Sequence, residues 1–381
     1  MFLCSILVFV HIFSFEAFGA VSPMANLESK SAILMEASTG KVLYENNSDE
    51  VLPPASVTKV MTMLLIFEAQ SEGKFQWDDM VRVSAYAASM GGSQVYLEEG
   101  EEQRAEDMVK CIAVASANDA SVAMAEFIGG SEEGFVDMMN SKAKELGMKN
   151  TTFKNACGLD EDGHLITARD IAIMSRELIT KYPDIKNYSS IWMDEITHKT
   201  KKGESVFGLS NTNKLIKWYD GATGLKTGST SGAKYCLSGT AERNGIELIS
   251  VVMAAPEPKK RFEEVMKMFD WGFGNYAVEN VIEKGTEMGT IDVINGMADE
   301  VLIETERGIN ILTEKGGGEI TKDVIIYESL KAPFEKGEKA GEIIYYTDGK
   351  EAARTNIIAS EGCQKADIFK VLSNVIEIWA K

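Results

Sequence analysis

Apolar and polar residues alternate near the start of the chain in a way that predicts a β-hairpin. The β-like runs 32–37 and 42–45 are separated by Ser38-Thr39-Gly40-Lys41, which has the residue types of a turn. A strongly apolar run, 60–67, follows Pro53 and Pro54. Because prolines cannot continue a helix backwards, we expect a helix to begin at or near Ser56.

Helical periodicity dominates the next part of the chain. Apolar residues recur at helical spacing over residues 104–128, 132–146 and 167–182. Ser116 and Asn118 interrupt the first segment. Since Ser and Asn side chains compete with helical backbone bonding, we expect a break there.

From about residue 203 the pattern changes to that of strands. The predicted elements are strands over 225–230, 235–241 and 246–254, then a helix over 261–273. Asn244-Gly245 is a strong hairpin signal between the last two strands. Strands from both ends of residues 24–276 can therefore join one antiparallel sheet flanked by helices, which predicts an α+β domain.

The C-terminal third has a different character. Short β-like runs alternate with glycine-containing turns, which predicts a small all-β domain over residues 278–360. Residues 366–381 then carry apolar side chains on one side of a helical period, and we expect an amphipathic tail helix over 364–381. Such a helix either docks on its own protein or lies on a membrane surface as a peripheral contact.

The first twenty residues predict an export signal. Residues 2–10 are almost wholly apolar, and Ala17-Phe18-Gly19-Ala20 supplies small residues suited to cleavage. No Lys or Arg precedes the apolar run, which is also too short for a comfortable membrane span. We expect a cleaved signal peptide over residues 1–20, with an uncleaved anchor as the alternative.

Composition excludes several classes of protein. Apolar residues make up 45% and charged residues 25%, as in ordinary globular proteins with an ample core. The formal charge of −19 argues against a nucleic-acid partner, which needs a clustered basic surface. With only three His, and with the spacings of Cys111, Cys157, Cys236 and Cys363 matching no zinc or redox motif, we expect no metal, no cofactor and free, mostly buried thiols.

Candidate chemistry begins with Ser56 and Lys59. Positions i and i+3 share a helix face, so this hydroxyl and this amine can meet without help from the rest of the chain. On its own, a Ser and a Lys at this spacing is weak evidence, because four-residue patterns recur by chance. Two further motifs follow at intervals of 60 and 110 residues, Ser116-x-Asn118 at the helix break and Lys226-Thr227-Gly228 on a strand. Their order and structural contexts make the set specific.

The three motifs resemble those of the penicillin-binding proteins and serine β-lactamases, and most closely the low-molecular-mass serine-type D-alanyl-D-alanine carboxypeptidases. The resemblance covers most of the chain and includes stretches such as Gly158-Leu159-Asp160 and Thr167-Ala168-Arg169-Asp170. The stretch 233–237 is similar to the sporulation-associated branch. The resemblance implies a β-lactamase/transpeptidase-like α+β domain followed by the all-β domain and the tail helix.

The resemblance also implies residue roles. A serine hydroxyl needs a base, and Lys59 can be that base for Ser56 only when its amine is neutral, which burial and a nearby Lys226 both favour. Ser116 passes a proton to the departing amine. Asn118 holds Lys59 and the substrate backbone.

The strand motif implies the substrate-binding groups. Lys226 and Thr227 suit a peptide's terminal carboxylate, and Gly228 lets the substrate lie close to the strand. The implied oxyanion hole consists of the backbone N–H groups of Ser56 and Ser229. The implied substrate is a peptidoglycan stem peptide ending in D-Ala-D-Ala, with β-lactam antibiotics as inhibitors, at the outer face of the bacterial cytoplasmic membrane.

Three further residues outside the motifs are interpreted separately. His164 is expected to be structural, and Arg261 to help order the carboxylate site. Some members of the family carry an arginine at the position of Thr212, so that substrate contact is absent here.

Two other functions are considered. Class A β-lactamases need a Glu that activates the deacylating water, and no Glu-x-x-Leu-Asn stretch lies between Asn118 and Lys226. A catalytically silent, wall-associated scaffold is the second alternative, which the intact motifs argue against. The sequence leaves open the preferred stem peptide, the balance of carboxypeptidase and endopeptidase action, and the oligomeric state.

Overall fold

A computed structural model of the 381-residue chain describes residue 24 and residues 26–372. The predicted signal peptide, 1–20, lies outside the described residues. Of the predicted tail helix over 364–381, residues 368–372 are helical, whereas 364–367 are not, so the helix begins four residues later than predicted. Residues from 373 onwards lie outside the described part. Over the described residues, no helix combines the length and the apolar character needed to cross a bilayer.

The helices are concentrated in the first three quarters of the chain. They are α1 Lys59–Ser71, α2 Ala85–Ala88, α3 Ala105–Ala113, α4 Asn118–Gly129, α5 Glu132–Glu145, α6 Ala168–Lys181, α7 Lys186–Ser189, α8 Leu215–Trp218 and α9 Lys260–Asn275. Short 3-10 turns occupy Ala55–Thr58 and Pro183–Ile185.

The strands fall into two groups, one on each side of α9. Those before it are β1 Ser31–Glu36, β2 Val42–Asn46, β3 Met80–Arg82, β4 Glu102–Arg104, β5 Met193–Thr200, β6 Gly203–Ser210, β7 Ala222–Thr230, β8 Lys234–Arg243 and β9 Ile246–Ala255. Those after it are β10 Tyr276–Ile282, β11 Glu287–Ile294, β12 Glu300–Thr305, β13 Ile309–Glu314, β14 Ile320–Ile326, β15 Ser329–Lys331, β16 Lys339–Thr347 and β17 Lys350–Ala359.

The central sheet of the first domain has the order β2-β1-β9-β8-β7, with all neighbours antiparallel. Strand β1 is buried along its whole length. Because successive side chains of a strand point to opposite faces, Ile33 and Met35 pack into the core that contains α1 and α6, while Ala32 and Leu34 pack against α9. Helices thus cover both faces, and the predicted α+β fold is confirmed.

The predicted helices occur with small changes at their ends. The periodic segment 104–128 is divided into α3 and α4, with Ser116 in the break, as its polar residues indicate. Helix α6 begins after Thr167, whose hydroxyl accepts the backbone N–H of Asp170 at 3.1 Å. This N-cap satisfies one of the four backbone donors left free at a helix start.

The second domain is all-β, with its own core. A six-stranded sheet has the order β14-β16-β17-β12-β11-β15, and β10 pairs with β13. The predicted β-like runs 290–294, 300–304, 309–312, 341–346 and 352–359 fall within strands, and the run 320–327 extends one residue beyond β14. The strands β3, β4, β10 and β15 and the β5–β6 ribbon were not predicted. The ribbon has mostly exposed positions, so its sequence lacks the apolar alternation that marks a half-buried strand.

Candidate active site

The candidate nucleophile lies in a tight turn just ahead of α1. Ser56 is the second residue of the 3-10 turn Ala55–Thr58, and α1 begins at Lys59. Ala55 has a left-handed backbone, with φ of +49°, and its carbonyl oxygen accepts the Thr58 hydroxyl at 2.8 Å. The helix therefore starts where the prolines and the apolar run predicted it, after one tighter turn that carries the serine.

Lys59 is fully buried and touches three acceptors. Its Nζ lies 3.2 Å from Ser56 Oγ, 2.6 Å from Asn118 Oδ1 and 2.7 Å from the carbonyl oxygen of Cys157. Burial lowers the pKa of Lys59 to about 8, against the opposing effect of Cys157 and Asp119. Near neutral pH a useful fraction of this amine is therefore uncharged, with a lone pair that can accept the Ser56 proton.

Lys226 is the second buried amine of the site. Its Nζ donates to the carbonyl oxygen of Thr227 at 2.9 Å. Burial, and then the positive charges of Lys59 and Arg261, place the pKa of Lys226 well below its usual range. The positive charge of Lys59 thus acts on Lys226, whereas the lowered pKa of Lys59 itself comes from burial rather than from Lys226.

The Ser116–Asn118 motif forms the corner between α3 and α4. Ser116 is buried with φ of +61°, a left-handed conformation that breaks the helical path. Asn118 opens α4, and its Nδ2 donates to the carbonyl oxygen of Gly91 at 2.7 Å while its Oδ1 accepts from Lys59. Both ends of this amide are therefore fixed, which holds the Lys59 amine in place.

Strand β7 brings Lys226, Thr227 and Gly228 against the nucleophile turn. A Cβ at Gly228 would lie 2.9 Å from the backbone nitrogens of both Ser56 and Val57, closer than a side chain permits. The close packing of β7 against the nucleophile turn therefore requires glycine at position 228, whether or not a substrate is bound. Ser229, the next residue of β7, is exposed.

The loop after α5 supplies contacts to which the sequence assigned no role. The carbonyl oxygen of Cys157 accepts a hydrogen bond from Lys59. Gly158 has φ of +86° and lies against the nucleophile turn, where a Cβ at this position would be 1.9 Å from the carbonyl oxygen of Ala55. Asn155 Oδ1 accepts the backbone N–H of Gly158 at 2.7 Å and so shapes this loop. A backbone carbonyl leaves no signal in a sequence, because every residue has one.

His164 belongs to the support of the turn. Its Nδ1 accepts the backbone N–H of Lys154 at 3.2 Å, so Nε2 carries the proton and faces Thr58 Oγ1 at 2.9 Å. Burial lowers the pKa of His164 to about 4, which keeps the ring neutral near pH 7. These contacts support the structural interpretation of this residue.

Arg261 and the cysteines complete the surroundings. Arg261 Nη1 donates to the carbonyl oxygen of Gly228 at 3.0 Å, so it braces strand β7 at the predicted carboxylate site.

Cys111, Cys157, Cys236 and Cys363 are all free and buried, as predicted. Over the described residues, no group of three His, Cys, Asp or Glu side chains could hold a metal ion.

Comparison with known proteins gives consistent matches. The family model described as D-alanyl-D-alanine carboxypeptidase, Peptidase_S11, matches residues 17–257. The model described as Penicillin-binding protein 5, C-terminal domain, matches residues 276–365. The D-alanyl-D-alanine carboxypeptidase DacF of Bacillus subtilis is 46% identical over 356 residues, which cover 93% of this chain and 90% of that relative.

Solved structures agree with these matches. Penicillin binding protein 5 from Haemophilus influenzae has a TM-score of 0.73 at 31% identity and covers 89% of this chain and 98% of its own. Penicillin-Binding Protein D2 from Listeria monocytogenes, in its ampicillin-bound form, has a TM-score of 0.54 at 34% identity and covers 65% of this chain and 98% of its own.

Proposed function

The chain belongs to the family of D-alanyl-D-alanine carboxypeptidases, and we propose that it removes the terminal D-alanine of peptidoglycan stem peptides through an acyl-enzyme on Ser56. The observation that carries this assignment of the site is the buried Lys59 amine, 3.2 Å from Ser56 Oγ, with a pKa of about 8. A nucleophile needs a base within hydrogen-bond reach that is neutral at the working pH.

Acylation passes through a tetrahedral oxyanion intermediate. The neutral amine of Lys59 accepts the proton of Ser56 as Oγ attacks the carbonyl carbon between the last two D-alanines. The backbone N–H groups of Ser56 and Ser229 donate to the oxyanion that forms, a contribution of about 3 kcal/mol for each donor in comparable sites. The C–N bond then breaks as Ser116 passes its proton to the departing amine and takes the proton held by Lys59 in return. Free D-alanine leaves, and Lys59 is neutral again.

Deacylation returns the enzyme to its starting state. Water attacks the ester carbonyl carbon and transfers a proton to the neutral amine of Lys59. The C–O bond to Ser56 then breaks as Lys59 returns that proton to Oγ. The products are Ser56 and a shortened stem peptide with a new carboxylate. Asn118 keeps Lys59 aligned through both steps, because its Oδ1 lies 2.6 Å from Nζ.

Strand β7 recognises the free C-terminus of the substrate peptide. Lys226 and Thr227 face the carboxylate, and the partly buried Arg261 adds positive potential behind Gly228. Because the site is buried, a carboxylate that enters it is attracted to Arg261 and to the protonated form of Lys226 more strongly than in water. The same groups accept the carboxylate of a β-lactam antibiotic, whose ring acylates Ser56 in place of the peptide.

The two alternatives fit the site less well. A silent scaffold would not need a lysine held by three contacts next to a serine, and the family matches are to carboxypeptidases rather than to β-lactamases. The division of the chain into a catalytic domain over 24–276 and an all-β domain over 278–360 remains our proposal for its organisation.

We place the enzyme outside the cytoplasm, at the outer face of the cytoplasmic membrane. The relatives it matches include penicillin-binding proteins, and the first twenty residues have the pattern of an export signal. The described start of the tail exposes Ile368, Phe369 and Leu372 at 65%, 77% and 52%. These side chains support a peripheral membrane contact driven by apolar burial.

The assignment is tested with the purified mature protein and a pentapeptide ending in D-Ala-D-Ala. Wild type should release D-alanine and bind labelled penicillin covalently, and Ser56→Ala should do neither. The matched control is Ser71→Ala, which changes an exposed serine at the C-terminal end of α1 and should behave as wild type. Release of D-alanine by Ser56→Ala would refute the assignment of the nucleophile.

A further inference from the structure

Two threonine hydroxyls meet at the edge of the candidate site. Thr212 Oγ1 lies 2.7 Å from Thr227 Oγ1, where Thr227 is on β7 and Thr212 is in the segment between β6 and α8. Thr227 is 4% exposed, and Thr212 is partly exposed. Thr227 therefore reaches the substrate region with a hydroxyl that already has one partner.

The surroundings hold Thr212 firmly. Its backbone N–H donates to the carbonyl oxygen of Val114, two residues before Ser116, at 3.2 Å. On one side, Asn211 Nδ2 donates to the carbonyl oxygen of Ile191 at 2.6 Å, and on the other, the backbone N–H of Asn213 donates to Asn211 Oδ1 at 2.8 Å. Thr212 thus links the helical corner to strand β7 at a fixed position.

Proton counting decides which way the pair must be oriented when substrate binds. A hydroxyl donates one hydrogen bond and accepts up to two, whereas a carboxylate only accepts. If Thr227 donates to Thr212, it has no proton left for the substrate. As long as the 2.7 Å hydrogen bond between the two hydroxyls is kept, Thr227 can donate to a carboxylate only when Thr212 donates to Thr227.

We propose that Thr212 is a positioning residue that turns the Thr227 hydroxyl toward the terminal carboxylate of the substrate and so favours free C-termini. This inference rests on the proposed function, because it assigns the carboxylate to Thr227. In the chain Thr212 to Thr227 to carboxylate, each hydrogen bond polarises the next, and the bond to the charged acceptor gains most.

The test compares a peptide ending in D-Ala-D-Ala with the same peptide amidated at its C-terminus. Thr212→Val keeps the shape and removes the hydroxyl, so kcat/KM for the free acid should fall about 10-fold, mostly through KM, since a bond to a charged group is lost or weakened. For the amide the fall should stay under about 3-fold, because its oxygen is a weaker, neutral acceptor. Thr212→Ser should restore the preference for the acid.

A second pair of probes does not depend on D-alanine release. The rate of Ser56 acylation is measured in wild type and Thr212→Val with a penicillin, which has a carboxylate, and with its neutral methyl ester. The two probes thus repeat the comparison of a charged with a neutral group. Absence of D-alanine release by wild type would refute the proposed function, and the penicillin pair would still decide the role of Thr212.

The outcomes are distinct. Selective loss for the acid, with rescue by Thr212→Ser and an unchanged unfolding temperature, supports the proposal. Equal losses for acid and amide would show that Thr212 is merely structural and would overturn it. No loss in Thr212→Val would overturn it as well, because Thr227 would then orient its hydroxyl without help.

Discussion

The amine of Lys59 lies 2.7 Å from the carbonyl oxygen of Cys157, a residue 98 positions later in the chain. The base of the candidate site is therefore positioned in part by a backbone group on a separate loop. The Cys157 thiol takes no part in this contact. Burial raises the pKa of the thiol, which makes it a poor nucleophile at neutral pH.

Replacing the Cys157 side chain should consequently have little effect on activity. Cys157→Ala keeps the carbonyl group, and we expect D-alanine release and penicillin labelling within about 3-fold of wild type, with some loss of stability from the small cavity. Steady-state kinetics and thermal unfolding measure the two effects. Abolished labelling in a folded Cys157→Ala protein would show that the thiol itself takes part.

Gly158 should be far less tolerant than its neighbour. In Gly158→Ala, the new Cβ would lie 1.9 Å from the carbonyl oxygen of Ala55, so the nucleophile turn must move. A displacement of about 1 Å at a reacting group can cost about 100-fold in rate, and we expect at least that loss in penicillin acylation.

The control for this variant separates the clash from backbone strain. Gly147 has φ of +74°, close to the +86° of Gly158, but no atom lies within 4 Å of its hypothetical Cβ. Gly147→Ala should therefore lower stability by about 1 kcal/mol through its left-handed backbone alone and leave acylation unchanged. Equal kinetic effects of the two substitutions would contradict the role given to the Gly158 contact.

Activity should rise with pH through the pKa of Lys59. Only the neutral amine accepts the Ser56 proton, and the pKa is about 8, so below pH 8 the protonated, inactive form dominates. We expect kcat/KM to increase about tenfold per pH unit well below pH 8 and to level off above it. A profile measured between pH 6 and 9.5 that stays flat would rule out Lys59 as the base.

His164 should make the fold sensitive to acid. Its pKa is lowered by burial to about 4 in the folded protein, whereas an unfolded His titrates near 6.5. Between these values the unfolded chain binds more protons, so stability falls as pH falls, by up to about 3 kcal/mol from pH 6.5 to pH 4. Above pH 6.5 this contribution is fully present.

Unfolding curves at several pH values test this assignment. His164→Gln loses the titrating group, so its stability should fall less steeply than that of wild type over the same range, although the variant is less stable at pH 7. Penicillin labelling of His164→Gln at pH 7 should persist, because the ring contacts Thr58 rather than the reacting atoms. Parallel pH curves for the two proteins would refute the buried neutral ring as the source of the acid sensitivity.

Local physics determined much of this protein directly from its sequence. Apolar spacing, the prolines before Ser56 and the polar residues around Ser116 act over a few residues, so they predicted the helices, the hairpins and the helix break. The i, i+3 relation brought Ser56 and Lys59 together without any tertiary contact. The order of the three motifs identified the family before any fold was known.

Only the tertiary structure decided the chemistry of Lys59. Its lowered pKa comes from complete burial, which depends on packing between segments distant in the chain, and its alignment comes from Asn118 and the Cys157 carbonyl. The meeting of Thr212 with Thr227, and of Gly228 with the Ser56 turn, has the same origin. Contacts of this kind depend on how whole helices, strands and loops pack against one another. They involve backbone groups and residues distant in the chain, so no local sequence pattern predicts them.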